Sequence, residues 1–221
     1  MAKQIPIYTG TLRSHSLTVP HCVSECSGIR IFGRRIKSLA FSTDVAIIKN
    51  INADAIIAVY PFTPQPVISQ AIISVSDVPV FVGVGGGITT GKRSVRLAIQ
   101  AEIQGAYGVV LNAPTSDEVI RQIKEVVDIP VVITVASAHT DIRSRLEAGA
   151  DFLNISGAAA TPEIVAEIRR DFPEVPIIAT GGPTEDTILR TIRAGANAVS
   201  YTPPTNGALF SQIMEKHRKA P

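Results

Sequence analysis

Short apolar runs, each closing on a small or polar residue and followed by an amphipathic stretch, recur along the whole chain. They cover residues 28–33, 55–60, 78–83, 107–112, 129–134, 151–156, 175–180 and 197–202, at a spacing of roughly 20 to 30 residues, which is a βα repeat length. Runs that are apolar at nearly every position belong to strands buried on both faces, as in a parallel sheet. Eight such units predict a single-domain (β/α)8 barrel over residues 28–221. Residues 1–27 do not fit the repeat and form an N-terminal extension. Within it, Ile5-Pro6-Ile7-Tyr8 and Ser16-Leu17-Thr18-Val19 flank a polar turn at Gly10. They predict a short hairpin that plugs the end where strands begin or meets a neighbouring subunit, with Arg13, His15 and His21 as its polar groups.

The stretches between the runs carry helix signals. Thr161-Pro162-Glu163 places a cap, a proline at the first helical position and an early acid before the apolar stripe Ile164, Val165, Ile168. Thr115-Ser116-Asp117-Glu118 and Thr184-Glu185-Asp186 open helices in the same way. Three helices end alike, at Gly105-Ala106, Gly149-Ala150 and Gly195-Ala196, where glycine accepts the left-handed conformation that stops a helix.

Composition narrows the function classes. A formal net charge of +2 with 18% charged and 5% aromatic residues argues against a nucleic-acid or acidic-membrane partner. No apolar run reaches the roughly 18 residues that span a bilayer and no charged-then-apolar leader opens the chain, so a cytoplasmic location is expected. Cys22 and Cys26, a lone pair of thiols, are read as reduced and as a poor metal site, since a bound metal needs three or four ligands.

In a (β/α)8 barrel the active site lies at the carboxyl ends of the strands. That rule selects Arg34 after the first run, Tyr60 and Thr63 after the second, and Gly85-Gly86-Gly87 with Lys92 after the third. Asn112, then Thr134 with His139, then Asn154, Ser156 and Gly157, then Thr180-Gly181-Gly182, and finally Tyr201-Thr202 complete the mouth. Gly181 and Gly182 offer backbone N–H groups just before a helix N-terminus, where the dipole favours an anion. Here the chain resembles the ribulose-phosphate-binding and class I aldolase-type TIM barrels. The likeness of architecture runs over residues 28–219, and its motif part is Thr180-Gly181-Gly182 with the following Ala194-Gly195-Ala196-Asn197-Ala198-Val199. The resemblance implies a substrate phosphate held by Thr180, Gly181 and Gly182, helped by Ser156, Gly157 and Thr202. Pro203-Pro204 departs from it, because proline supplies no N–H.

Other chemistries lack their residues. Gly85–Lys92 looks like a P-loop, but Arg93 stands where the magnesium-holding Ser or Thr belongs. A Schiff-base aldolase needs a strand-end lysine, and the sixth run offers Asn154 instead. No strand end supplies a metal-ligand set, so no metal and no cofactor are expected. What remains is a neutral lining in which Lys92 and His139 could move protons, Asn112 and Asn154 could orient hydroxyl or carbonyl groups, and Arg34 could hold an anionic end.

The leading expectation is an enzyme acting on a phosphorylated, sugar-like metabolite by isomerisation, epimerisation or carbon–carbon lysis without a Schiff base, with a homodimer as candidate assembly. The whole chain also resembles bacterial barrel proteins that carry a general hydrolase label, so hydrolysis is a second expectation. A third, of a different class, is a sensor that keeps a phosphate grip without catalysis, resembling the glycerol-phosphate-responsive antiterminators.

Overall fold

The computed structural model describes residues 6–8, 10–13 and 17–219. Eight parallel strands close into a barrel: β3 (Ser38–Phe41), β4 (Ala55–Ala58), β5 (Val80–Gly85), β6 (Gly108–Leu111), β7 (Val131–Val135), β8 (Phe152–Ile155), β9 (Ile177–Thr180) and β10 (Ala198–Tyr201). β10 pairs with β3 through Val199, Ser200 and Tyr201 against Ser38, Leu39 and Ala40, which completes the ring. Helices α1 (Val45–Asn50), α2 (Pro66–Val75), α3 (Lys92–Ile103), α4 (Asp117–Lys124), α5 (Ile142–Glu147), α6 (Thr161–Asp171), α7 (Glu185–Arg193) and α8 (Asn206–Lys219) follow the barrel strands in turn. The predicted (β/α)8 TIM barrel is the fold.

The helix signals work as read, with one change. Ser116 caps α4 by accepting from Val119 N, and Thr184 caps α7 in a reciprocal pair with Thr187. Thr161, expected as a cap, is instead the first residue of α6, buried, and its hydroxyl accepts from Gly157 N at 3.0 Å.

The first run is a correction. Residues 28–33 were expected to be barrel strand one, but β1 (Ile29–Ile31) and β2 (Arg34–Ile36) form an antiparallel hairpin outside the barrel sheet. Its turn, Phe32-Gly33, has both φ angles positive at 42° and 82°, the mirror-image turn that fits strand twist. Arg30 is exposed between buried Ile29 and Ile31, so the run is buried on one face only. Ile29, Ile31 and Ile36 pack with Leu39, Ala55, Ile57, Phe81, Val110, Val132, Ile178 and Ala198 in the barrel interior. Gly28 N donates to Asn197 O and the Tyr107 hydroxyl to Ile31 O, residues just ahead of β10 and β6. The hairpin therefore plugs the end where strands begin. The plug exists, but residues 29–36 make it, not the extension.

Part of the hairpin expected in the extension lies outside the described residues, including Ile5, His15 and Ser16. Of the rest, Leu17 forms one parallel bridge to Ile51. Residues His21–Glu25 form a 3-10 turn that packs Cys22, Val23 and the following Cys26 against Ile188 and Val199. That places the extension on the outer face of β10.

Candidate functional site

Successive strand residues face opposite ways, so the residues two positions beyond the interior layer also point inward, at the open end. They are Phe41, Val59, Gly83, Asn112, Thr134, Asn154, Thr180 and Ser200, one for each barrel strand in order, with Val59 and Asn112 one residue past their strands' ends. This ring is divided. From β6 round to β10 it presents hydrogen-bonding but uncharged side chains; from β3 to β5 it presents Phe41, Val59 and bare backbone at Gly83.

The polar arc is only partly satisfied. Asn154 Nδ2 donates to Thr134 Oγ1 at a long 3.4 Å, and Ser200 Oγ donates to Thr180 Oγ1 at 3.5 Å. Asn154 Oδ1 is buried and has no hydrogen-bond partner among the described residues. A buried acceptor without a donor costs about 1–3 kcal/mol, so such an atom calls for an explanation. A donor on a bound molecule supplies one.

Asn112, Asn154 and Thr180, expected from sequence, thus stand in one layer with Thr134. Ser200 joins them in place of the expected Tyr201-Thr202, since counting by twos from buried Ala198 leads to Ser200. Tyr201 pairs with Ala40 and lies in a groove on the outer face with Ile188 and Glu185. Gly182 is exposed at φ +83°, and its N–H has no acceptor among the described residues. Gly181 differs, since its N–H already bonds Ser200 O and its Cα packs on Val199 and Ile188. Gly157 N–H is likewise occupied by Thr161, Ser156 N–H bonds Val135 O, and Thr202 is exposed. Glu185 and Asp186 occupy the first turn of α7. The donors free for an anion on this side therefore reduce to Gly182 N–H and the Thr180, Ser156 and Thr202 hydroxyls, since the Ser200 hydroxyl is engaged with Thr180.

Lys92 is exposed at the first position of α3, and His139 is exposed in the loop after β7, where its N–H donates to Ser137 Oγ. Both belong to the rim, not the inward ring. Asp141 caps α5 by accepting from Ser144 N. Arg34 is corrected: it sits on β2 opposite Ile31, in the plug at the far end of the barrel, and cannot reach a molecule held at the mouth. The error follows from the misplaced first strand, since the mouth end of β3 is Phe41.

Beside the apolar arc lies a cavity of about 490 Å3, walled by Tyr60, Phe62, Thr63, Ile88, Thr89 and Asn112 among others. Its two loops are tied by Thr89 Oγ1 to Thr63 Oγ1 at 3.1 Å, and Gly86 N bonds Thr89 O within the glycine-rich loop. Gly86 is needed for close approach: a Cβ there would meet Asn112 N at 2.5 Å. The glycine run thus packs one loop against the Asn112 turn.

The architecture is that of a (β/α)8 TIM barrel whose strand-end mouth is lined in part by neutral hydrogen-bonding groups. Comparison with known proteins agrees at the level of fold. No family model matches the chain. A curated thiamine-phosphate synthase of Geobacillus thermodenitrificans (strain NG80-2) is 28% identical over 117 residues, 48% of this chain and 51% of that protein. The chain thus matches about half the length of that relative. Among solved structures, 2,3-dimethylmalate lyase, a PEP mutase/isocitrate lyase superfamily member, superposes with a TM-score of 0.64 at 13% identity, covering 90% of this chain and 81% of its own. Phosphonopyruvate hydrolase superposes with a TM-score of 0.60 at 16% identity, covering 89% and 83%.

Proposed function

We propose that the chain is an enzyme that holds a small phosphorylated, sugar-like metabolite at the strand-end mouth and isomerises, epimerises or cleaves it. The buried, unpartnered Asn154 Oδ1 carries this reading: it is a hydrogen-bond acceptor in the inward layer at the mouth end of its strand, with no donor among the described residues. A substrate hydroxyl or N–H satisfies it, while the Thr180 hydroxyl and Gly182 N–H take the phosphate on the neighbouring strand. Lys92 and His139, from loops two strands apart on the rim, are the candidate proton carriers. No cofactor, metal or nucleic acid enters this reading, the working location is the cytoplasm, and the working form is a homodimer.

The sensor reading has one observation in its favour, the absence of any charged side chain from the inward ring. One experiment separates the two. Phosphorylated metabolites are screened for thermal stabilisation, and each hit is then tested for turnover. The enzyme reading expects a hit that is consumed, with stabilisation lost in Asn154→Leu and Thr180→Val. A hit that binds with the same dependence but is never turned over favours the sensor. Stabilisation indifferent to both substitutions would remove the mouth from the argument.

A further inference from the structure

We infer that the molecule held at this mouth carries an uncharged ring, seated between the loops after β4 and β5, directly across the barrel from the anion donors after β9. For its anionic half this rests on the reading above; the ring half stands on separate observations. In the closed strand order, β5 and β9 lie four steps apart in either direction, so the two places face each other across the mouth.

The ring of inward residues is apolar on this side alone, at Phe41 and Val59 with the bare backbone of Gly83 beside them. Above it, Phe62 and Ile88 are 73% and 100% exposed on the two facing loops. Large apolar side chains held in water on both walls of one cavity mark a ligand groove. None of the residues lining that cavity is charged, so an anionic or cationic group has no counter-charge there.

The polar atoms of the walls are largely spent. The Tyr60 hydroxyl accepts from Gln65 N at 2.7 Å, and Thr63 and Thr89 bond each other. The Asn112 side chain is left without a hydrogen bond among the described residues, although its backbone is fixed by Gly85 O and Thr115 N. A carboxamide offers one acceptor and two donors in a plane, a match for the edge of a flat ring that bears both kinds of group. Phe62 and Pro61 supply faces for such a ring to lie on. The loops are already tied to each other, so little ordering is needed on binding, and a rigid ring suits these walls better than a flexible chain.

Four probes test this by calorimetric titration of the intact protein: inorganic phosphate, glycerol phosphate, phenyl phosphate and neutral benzamide. Phenyl phosphate is expected to bind about tenfold more tightly than glycerol phosphate, and benzamide to bind weakly. In the Phe62→Ser/Ile88→Ser variant the advantage of phenyl phosphate should fall to about onefold, with inorganic phosphate unchanged. Both side chains are exposed, so the variant is expected to fold, and unchanged melting confirms it. Thr180→Val should weaken all three phosphates alike and leave benzamide alone. Equal affinity for phenyl and glycerol phosphates, or a preference untouched by the double variant, overturns the ring site. Benzamide binding that depends on Phe62, with no response to inorganic phosphate, upholds the ring site and overturns the anionic reading.

Discussion

At the scale of single residues, the mouth contains groups that could bind but few that could move a proton. The inward ring has no titratable side chain, so acid–base work falls to Lys92 and His139 on the rim. Lys92→Met and His139→Gln, assayed separately once a substrate is found, are each expected to reduce turnover by about 10²–10⁴-fold, as general acids and bases do. Losses below about tenfold in both would remove them from the reaction. Cys26 makes a different prediction. Burial pushes its thiol up from 9.0 to about 11, with the nearby Lys37 opposing that shift. Folding therefore favours the protonated form, and the contribution is intact below pH 9 and lost as pH rises towards 11. Melting temperatures of wild type and Cys26→Ala should run parallel up to pH 9 and converge above it; parallel curves to pH 11 would show that folding does not raise the thiol's pKa. Slow alkylation of both buried thiols at pH 8 is expected for the same reason.

At the scale of elements, periodicity located seven of the eight barrel strands and failed at the first. β3 (Ser38–Phe41) opens on Ser38 directly after the basic stretch Arg34-Arg35-Ile36-Lys37, so its apolar signal is only Leu39-Ala40-Phe41 and does not stand out. The louder run before it supplies Ile29 and Ile31 to the barrel interior from below, and the alternation Ile29-Arg30-Ile31, the mark of burial on one face, was the signal that set it apart from the barrel strands. Arg34 was misplaced along with that run. The hairpin is held by a contact that can be tested. The Tyr107 hydroxyl donates to Ile31 O at 2.9 Å, and its ring meets Phe32 edge to face with centroids 5.1 Å apart. Tyr107→Phe keeps the ring contact and removes the bond, for an expected cost of about 1 kcal/mol. In a chain of this size that lowers the melting temperature by roughly 2–4 °C. Because the plug lies at the end opposite the mouth, ligand affinity should not change; a loss of affinity would mean that the two ends of the barrel are coupled.

At the scale of the whole molecule, the closed barrel was legible because eight repeats must bury both faces of eight strands, and few topologies do so. The site was legible as a set of strand ends, but its division into polar and apolar arcs depends on register, which the hydrophobic pattern does not give. One helix remains to be accounted for. The outer face of β10, which the last helix of a barrel would cover, is instead met by Cys22 and Val23 of the extension, beside a groove of about 790 Å3 containing Val19, Ile188 and Tyr201. α8 has no buried residue, and Phe210, Ile213 and Met214, spaced to share one face, are 68%, 51% and 46% exposed. Asn206 holds the start of the helix to Asp44 at 2.6 Å, and Pro203-Pro204 stiffens the approach, so α8 leaves its own barrel at a fixed point. The groove is also lined by Lys37, Asp54 and Glu185, so it is no match for an apolar partner; the uncovered apolar face of α8 is instead a self-complementary patch that a second copy buries about a two-fold axis. Light scattering on the purified protein should therefore give the mass of a dimer. Phe210→Glu with Ile213→Glu should give a monomer of unchanged helical content, because neither side chain is buried in the single chain. A wild-type protein that remains monomeric at about 100 μM, weaker than the roughly micromolar association expected of a stable interface, would show that α8 serves something other than self-association.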